Sequence, residues 1–124
     1  MTDGLQNSPI KTNSLFEQNG ACLFELSDSG TVLYCRIDVQ GQITELSANA
    51  VRRNFFDEVA PFENTEELRP LLNRFVKSNY SSERLSFACR VKNQIVPTKI
   101  MLVRISERSG GTRGKTTFVD IRKI

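Results

Sequence analysis

Histidine and tryptophan are absent from the 124-residue sequence, and the chain holds only three cysteines. Without histidine, the usual zinc spacings and the commonest haem ligand are excluded. Cys22, Cys35 and Cys89 form no C-x-x-C pair, and the last two lie in alternating apolar stretches where cysteine acts as a small core residue. The sequence therefore predicts a protein without a metal centre or cofactor, with redox sensing as the weaker alternative.

Long apolar runs are missing as well. No segment approaches the roughly 18 consecutive apolar residues that a membrane-spanning helix needs. Residues 1–9 have no basic start followed by an apolar block, so they do not resemble a secretory signal. We therefore expect a cytoplasmic protein that makes no membrane contact.

Patterns that carry catalysis are also lacking. The chain offers no histidine base, no paired-carboxylate spacing and no serine in a nucleophile elbow, so we do not expect an enzyme. The glycine-rich segment Ser109–Gly114 joins two predicted strands and precedes no helix, which argues against a phosphate-binding loop. We interpret it as the tip of a hairpin.

The charge is unevenly distributed along the chain. Residues 1–68 carry 4 basic and 11 acidic side chains, whereas residues 69–124 carry 13 basic and 3 acidic ones. Either the basic half meets an anionic partner or the two halves neutralise each other, and we favour the second reading. Nucleic-acid binding would require exposed aromatic rings on the basic strands, and Phe87 and Phe118 are predicted to be core residues. The sequence therefore argues against nucleic acid.

The first half of the chain begins with a polar segment. Residues 1–13 are predicted to be a flexible tail, and residues 14–124 are predicted to form one domain. Ala21–Leu26 and Thr31–Asp38 are rich in β-favouring residues and are separated by turn residues, so we predict two strands. A third short strand, Gln42–Leu46, is predicted to close a hairpin with the second.

Two helical segments are predicted in the middle of the chain. Phe55, Phe56 and Val59 fall on one helical turn, and we expect all three to be buried. A second apolar stripe predicts a helix of about a dozen residues, and its members are Leu68, Leu71, Leu72, Phe75 and Val76. Because proline inside a helix costs about 3 kcal/mol, we predict that the regular helix begins near Pro70, after a separate turn at Asn64–Leu68.

Three strand-like runs follow, Glu83–Lys92, Ile95–Ser106 and Lys115–Ile124, and they predict an antiparallel meander. Alternation in the middle run places Ile100 and Leu102 on one face, and the apolar residues on the other are Met101, Val103 and Ile105. The order of elements predicts an α+β fold, with a single antiparallel sheet of about five strands and short helices on one face.

One stretch of the sequence resembles a known family. Arg53-Asn-Phe-Phe-Asp-Glu-Val-Ala-Pro61 is similar to the Asn-Phe-Phe-x-x-Val-Ala-Pro stretch of the photoactive yellow protein family of PAS domains. Val96–Ile100, Phe118–Ile124 and Ile37–Gly41 add to the similarity, which covers about residues 31–124. The resemblance implies a PAS fold.

The differences from that family fall on the residues that serve its chromophore. The cysteine that carries p-coumaric acid in the family is replaced by Phe62. The family's tyrosine and glutamate, which bind the chromophore phenolate, correspond to Leu46 and Ala50. The resemblance therefore implies a PAS scaffold that is not a photoreceptor.

Two functions remain open on this evidence. The first is a signalling module that acts through a homodimer or a protein partner, with a possible interface at Met101, Val103 and Ile105. Ala21–Leu26 is the nearest segment predicted to cover that interface, either in its own chain or in a dimer mate. The alternative is a sensor of a small apolar ligand between helices and sheet, in a pocket lined by Leu46, Phe55, Phe56, Phe62 and Phe75. Against the pocket, Phe62 would simply fill this space as a core residue.

Overall fold

The computed structural model describes residues 21–39, 42–43, 49–109 and 112–124. The predicted tail of residues 1–13 and the predicted pocket residue Leu46 lie outside the described residues. The described elements, in chain order, are β1 (Ala21–Leu26), β2 (Val32–Val39), β3 (Gln42–Ile43), a single π-helical turn (Phe55–Val59), α1 (Thr65–Lys77), β4 (Ser82–Val91), β5 (Gln94–Ser109) and β6 (Thr112–Lys123).

The strands form one antiparallel sheet of six strands in the order β3-β2-β1-β6-β5-β4. β3 contributes only two residues, so five longer strands make up most of the sheet. The π-helical turn and α1 lie together in the chain and cover one face. The predicted α+β architecture, with one antiparallel sheet and little helix, is confirmed. Within the described residues, no helix is long and apolar enough to cross a membrane.

β1 lies in the interior of the sheet, where it pairs with β2 on one side and β6 on the other. The prediction that Ala21–Leu26 covers the bare face of the sheet in its own chain is therefore wrong. Cys22, Phe24 and Leu26 alternate with half-buried residues and are almost fully buried under the helices. A strand with one fully apolar side gains most by joining the sheet, because its backbone groups are then paired as well.

The turns between the last three strands differ slightly from the prediction: the first is shifted by one residue and the second is shorter. Val91 pairs with Gln94, so the β4–β5 turn consists of Lys92 and Asn93, with φ angles of 50° and 64°. Positive φ at both central residues is typical of the turns that match strand twist. β5 and β6 remain paired as far as Ser109 and Thr112. The predicted hairpin is confirmed, but Thr112–Gly114, which were predicted to belong to its tip, are the first residues of β6.

α1 runs through Pro70, so the prediction that the regular helix begins there is wrong. The segment predicted as a separate turn is the first part of the helix. Pro70 is exposed and removes one backbone hydrogen bond, the one that would reach the carbonyl of Glu66. Leu68, Leu72 and Phe75 are buried along one side of the helix. Each contributes about 1.5–3 kcal/mol, which offsets the cost of the proline.

The loop between β1 and β2 holds the π-helical turn against the sheet. The N–H of Phe55 donates to the carbonyl of Gly30 at 2.8 Å. Gly30 has a φ of +88°, and a Cβ at this position would lie 3.2 Å from the ring of Phe56. Glycine is required here both by the positive φ and by this close approach. The predicted burial of Phe55, Phe56 and Val59 is confirmed.

The outer edge of β4 is partly covered by the two residues that precede α1. Asn64 accepts a hydrogen bond from the N–H of Arg90 at 2.8 Å and donates its amide to the carbonyl of Ala88 at 3.0 Å. Glu63 donates its backbone N–H to the carbonyl of Arg90 at 2.8 Å, and its carboxylate accepts from the N–H of Lys92 at 3.2 Å. Outward-facing backbone groups in the last part of β4 are therefore hydrogen-bonded to these two residues.

Candidate functional site

The aromatic residues predicted to line a ligand pocket are packed as core. Phe55, Phe62 and Phe75 are no more than 1% exposed, and Phe56 is 6% exposed. The ring of Phe55 packs edge-on against those of Phe24 and Phe56, with centroids 5.0 and 5.1 Å apart. All four residues belong to the buried hydrophobic cluster.

Phe62 occupies the position where the resemblance would place a chromophore cysteine. Its ring is tilted against that of Phe87, with the centroids 5.5 Å apart. Ala50, at the place of the family's glutamate, is fully buried and carries no polar side-chain group. The two residues therefore contribute packing and no hydrogen bond to a phenolate.

We expect the purified protein to remain colourless after expression with p-coumaric acid, because Phe62 has no thiol that could form a thioester. An absorption spectrum checks this. The matched variant Phe62→Cys should not acquire a normal photocycle on its own, since Ala50 supplies no hydrogen bond to the phenolate. An absorption band at wavelengths beyond tyrosine in the unaltered protein would contradict the expectation.

The three cysteines are buried and form no disulfide. Burial raises the pKa of Cys35 to about 12. Burial also raises the pKa of Cys89 to about 11, and the Thr98 hydroxyl 3.5 Å away offsets part of that rise. Both thiols are therefore protonated at neutral pH and react slowly. In the described part of the chain, no three acidic or cysteine side chains come together as metal ligands.

The sheet side that faces away from α1 is called the open face. Two rows of side chains cross it through five strands, because the strands pair in register. The first row consists of Ser82, Val103, Phe118, Glu25 and Tyr34, in the order β4, β5, β6, β1, β2. In the same order, the second row consists of Arg84, Met101, Asp120, Leu23 and Arg36.

The predicted interface residues Met101, Val103 and Ile105 lie on the open face and are half-buried by their neighbours. Ile100 and Leu102 point to the helices and are buried, so the predicted division of β5 into two apolar faces is confirmed.

The sequence reasoning missed other residues of this face. Tyr34 is 44% exposed there. Phe118 is half-buried on the same face, so its prediction as a core residue is wrong, whereas that of Phe87 is confirmed. The signal was available in β6, because Phe118 alternates with the buried Val119 and shares its face with the polar Asp120.

The second row continues into a basic part of the open face. A shallow hollow of about 520 Å³ is lined by Arg84, Lys99, Met101, Asp120 and Arg122 among others. A second hollow of about 230 Å³ adjoins it and adds Leu23 and Arg36 to the lining. Asp120 accepts two hydrogen bonds from Arg122, at 3.1 and 3.4 Å. The open face is therefore apolar and weakly acidic at its first row and basic from the second row onward.

No protein-family model matches the chain, and no curated protein matches it either. The resemblance to PAS domains therefore remains a prediction that rests on the sequence stretches that carry it. The structural evidence for a function comes from the open face of the sheet.

Proposed function

We propose that the protein is a non-photoactive signalling module of the PAS type, which acts through contact with another protein at the open face of its sheet. The order of elements along the chain and the single sheet with helices on one face support the PAS part of the proposal. The loss of the chromophore residues, with Phe62 packed as core, supports its non-photoactive part.

The observation that carries the proposal is the composition of the open face. Its first row holds Val103, Phe118 and Tyr34, and its second row holds Met101 and Leu23. Val103, Phe118 and Met101 are direct neighbours. Glu25 separates Phe118 from Tyr34, and Asp120 separates Met101 from Leu23. Leu23 lies diagonal to both Phe118 and Tyr34, about 7–8 Å away, so the five side chains form one apolar patch with two carboxylates inside it. An apolar patch on an exposed sheet face is typical of a protein–protein interface.

We expect a photo-crosslinking amino acid in place of Val103 to form covalent links with another polypeptide, because Val103 lies inside this patch. The labelled full chain is irradiated alone and in lysate of its native cell, and the products are identified by mass spectrometry. The same amino acid in place of Asn73, which is exposed on α1, is the matched control. It should give few links.

Competition makes the test specific. An excess of unlabelled wild-type or Asn73→Lys chain should suppress the links from position 103, whereas Val103→Lys chain should not. The proposal fails if position 103 gives no more links than position 73, or if Val103→Lys competes as well as the wild type. Either result would mean that the open face is not a protein–protein interface.

A further inference from the structure

The outer edge of β4 differs between its two halves. β4 pairs with β5 in one register over its whole length, so its outward backbone groups belong to every second residue. Ala88 and Arg90 are two of these residues, and their outward groups are already bound. The same alternation turns the N–H and C=O groups of Ser82, Arg84 and Ser86 outward. All three residues are exposed, and no described residue hydrogen-bonds to these groups. We call this first half of the strand the free edge.

The side chains beside the free edge are basic on the open face. Arg84 lies on that face, and Lys99 pairs with Ser86 on the same face. Both cations are exposed, and neither forms an ion pair with another residue of the described ranges. They line the larger hollow together with Arg122, which is paired with Asp120. An acidic side chain next to β4 would therefore meet two positive charges that are not yet balanced.

We propose that the free edge binds an extended segment of another protein as an additional antiparallel strand, and that this segment carries carboxylate side chains. The contact goes beyond the proposed function, because backbone hydrogen bonds along an edge carry it rather than apolar side chains on the open face. The added strand would form about six hydrogen bonds, two at each of Ser82, Arg84 and Ser86. Strand addition to an exposed sheet edge is a recurrent way of binding a peptide.

The register determines which positions of the segment should be acidic. Residues directly opposite each other point to the same face, with Cβ atoms about 5 Å apart, so an acidic residue opposite Arg84 lies beside its guanidinium. The residue opposite Ser86 is two strands, or about 10 Å, from Lys99. The small side chain of Ser86 leaves room for the long lysine side chain to span that distance. We therefore expect acidic residues opposite Arg84 and Ser86.

The charge of the free edge also argues against a second copy of this chain as its partner. Two free edges paired about a two-fold axis would place Arg84 opposite Arg84 of the second copy. Like charges directly opposite each other in a sheet are destabilising, and charged residues on an edge strand oppose such self-pairing. A segment with carboxylates replaces this repulsion by attraction. The edge therefore favours a different polypeptide.

A synthetic peptide tests the proposal on the full chain. The probe is Glu-Val-Glu-Thr-Val with blocked ends, and NMR titration of the isotope-labelled protein measures its affinity. Its first, third and fifth residues would face Ser86, Arg84 and Ser82. N-methyl groups on the third and fifth residues remove two N–H donors that point to β4, and should weaken binding by roughly tenfold or more. The matched control carries N-methyl groups on the second and fourth residues, which point away, and should bind like the unmodified peptide.

Charge variants test the contribution of Arg84. Arg84→Glu should weaken binding by roughly three- to tenfold, because it replaces attraction by repulsion at the central position. The same variant should regain affinity for a peptide with lysine as its third residue, which restores the ion pair in reversed sense. Arg90→Glu is the matched control, since Arg90 is exposed on β4 and its outward backbone groups are already bound. It should bind the original peptide like the wild type.

Amide hydrogen exchange tests the hydrogen bonds themselves. The N–H groups of Arg84 and Ser86 point outward and should exchange quickly in the unbound chain, whereas those of Glu83 and Leu85 point to β5. Saturating peptide should slow exchange at the first pair and change little at the second. Slow exchange at Arg84 and Ser86 without peptide would overturn the proposal. It would mean that another part of the chain occupies the edge or, if it appears only as the protein concentration rises, that a second copy does.

Two further results would overturn strand addition: equal binding of the two N-methylated peptides, or no binding of the unmodified peptide up to millimolar concentration. Either result leaves the proposed function standing if position 103 still crosslinks to another protein. The converse is also distinguishable. Peptide binding that slows exchange at Arg84 and Ser86, without an excess of crosslinks from position 103 over position 73, supports the free edge as a binding site and contradicts the proposed function.

Discussion

Replacing Phe55 with alanine is expected to lower the free energy of unfolding by about 3–5 kcal/mol, a large part of what a domain of this size has. The Phe55 ring is fully buried and packs edge-on against Phe24 and Phe56. Its removal leaves a cavity between the π-helical turn and the sheet, where rigid strands allow little collapse. Phe56→Ala should cost a similar amount, and it also removes the ring on which Arg69 stacks at 4.3 Å.

Chemical denaturation of the variants measures these losses. Tyr80→Ala is the matched control, because Tyr80 is an aromatic residue that is 71% exposed, and its removal should change stability by less than about 0.5 kcal/mol. Losses below about 1 kcal/mol for both phenylalanine variants would contradict the assignment of this cluster as the core.

A chain that begins at Ser27 is expected not to fold. It lacks β1, which joins β2 to β6, and without it the remaining strands fall into two separate groups. The buried side chains of Val119 and Ile121 in β6 would lose the strand beside them. The β2–β3 pair alone is an isolated hairpin, which is at best marginally stable, and the β4–β6 group would lose the part of its core that Phe24 and Leu26 of β1 supply.

Thermal unfolding, monitored by circular dichroism, shows whether the chain that begins at Ser27 is folded. The matched control is a chain that begins at Ser14, which lacks only the predicted tail of residues 1–13 and should retain a cooperative transition. A cooperative transition in the chain that begins at Ser27, at a temperature close to that of the full chain, would mean that β1 is dispensable.

Local patterns in the sequence predicted much of the fold. The alternation of Ile100, Met101, Leu102 and Val103 assigned both faces of β5 correctly, because side chains in a strand alternate strictly. The position of β1 could not be predicted in this way. Its neighbour β6 lies at the other end of the chain, and no local pattern records which distant strands pair.

Other errors came from competition between local preference and packing. Pro70 is unfavourable inside a helix. The apolar stripe of this helix is buried, however, and the free energy gained by its burial exceeds the cost of the proline. Phe118 was assigned to the core because it is a large apolar residue. Aromatic residues are also frequent at interfaces, so hydrophobicity alone does not tell which face of a strand such a residue occupies.

The hydrogen bonds from Glu63 and Asn64 to β4 also influence how the protein behaves at high concentration. An unpaired edge strand is a template on which another chain can add a strand, and repeated addition leads to fibrils. At Ala88 and Arg90 the outward backbone groups are already occupied. A strand from another molecule would have to displace these bonds before it could pair along the whole edge, which favours soluble protein over fibril growth.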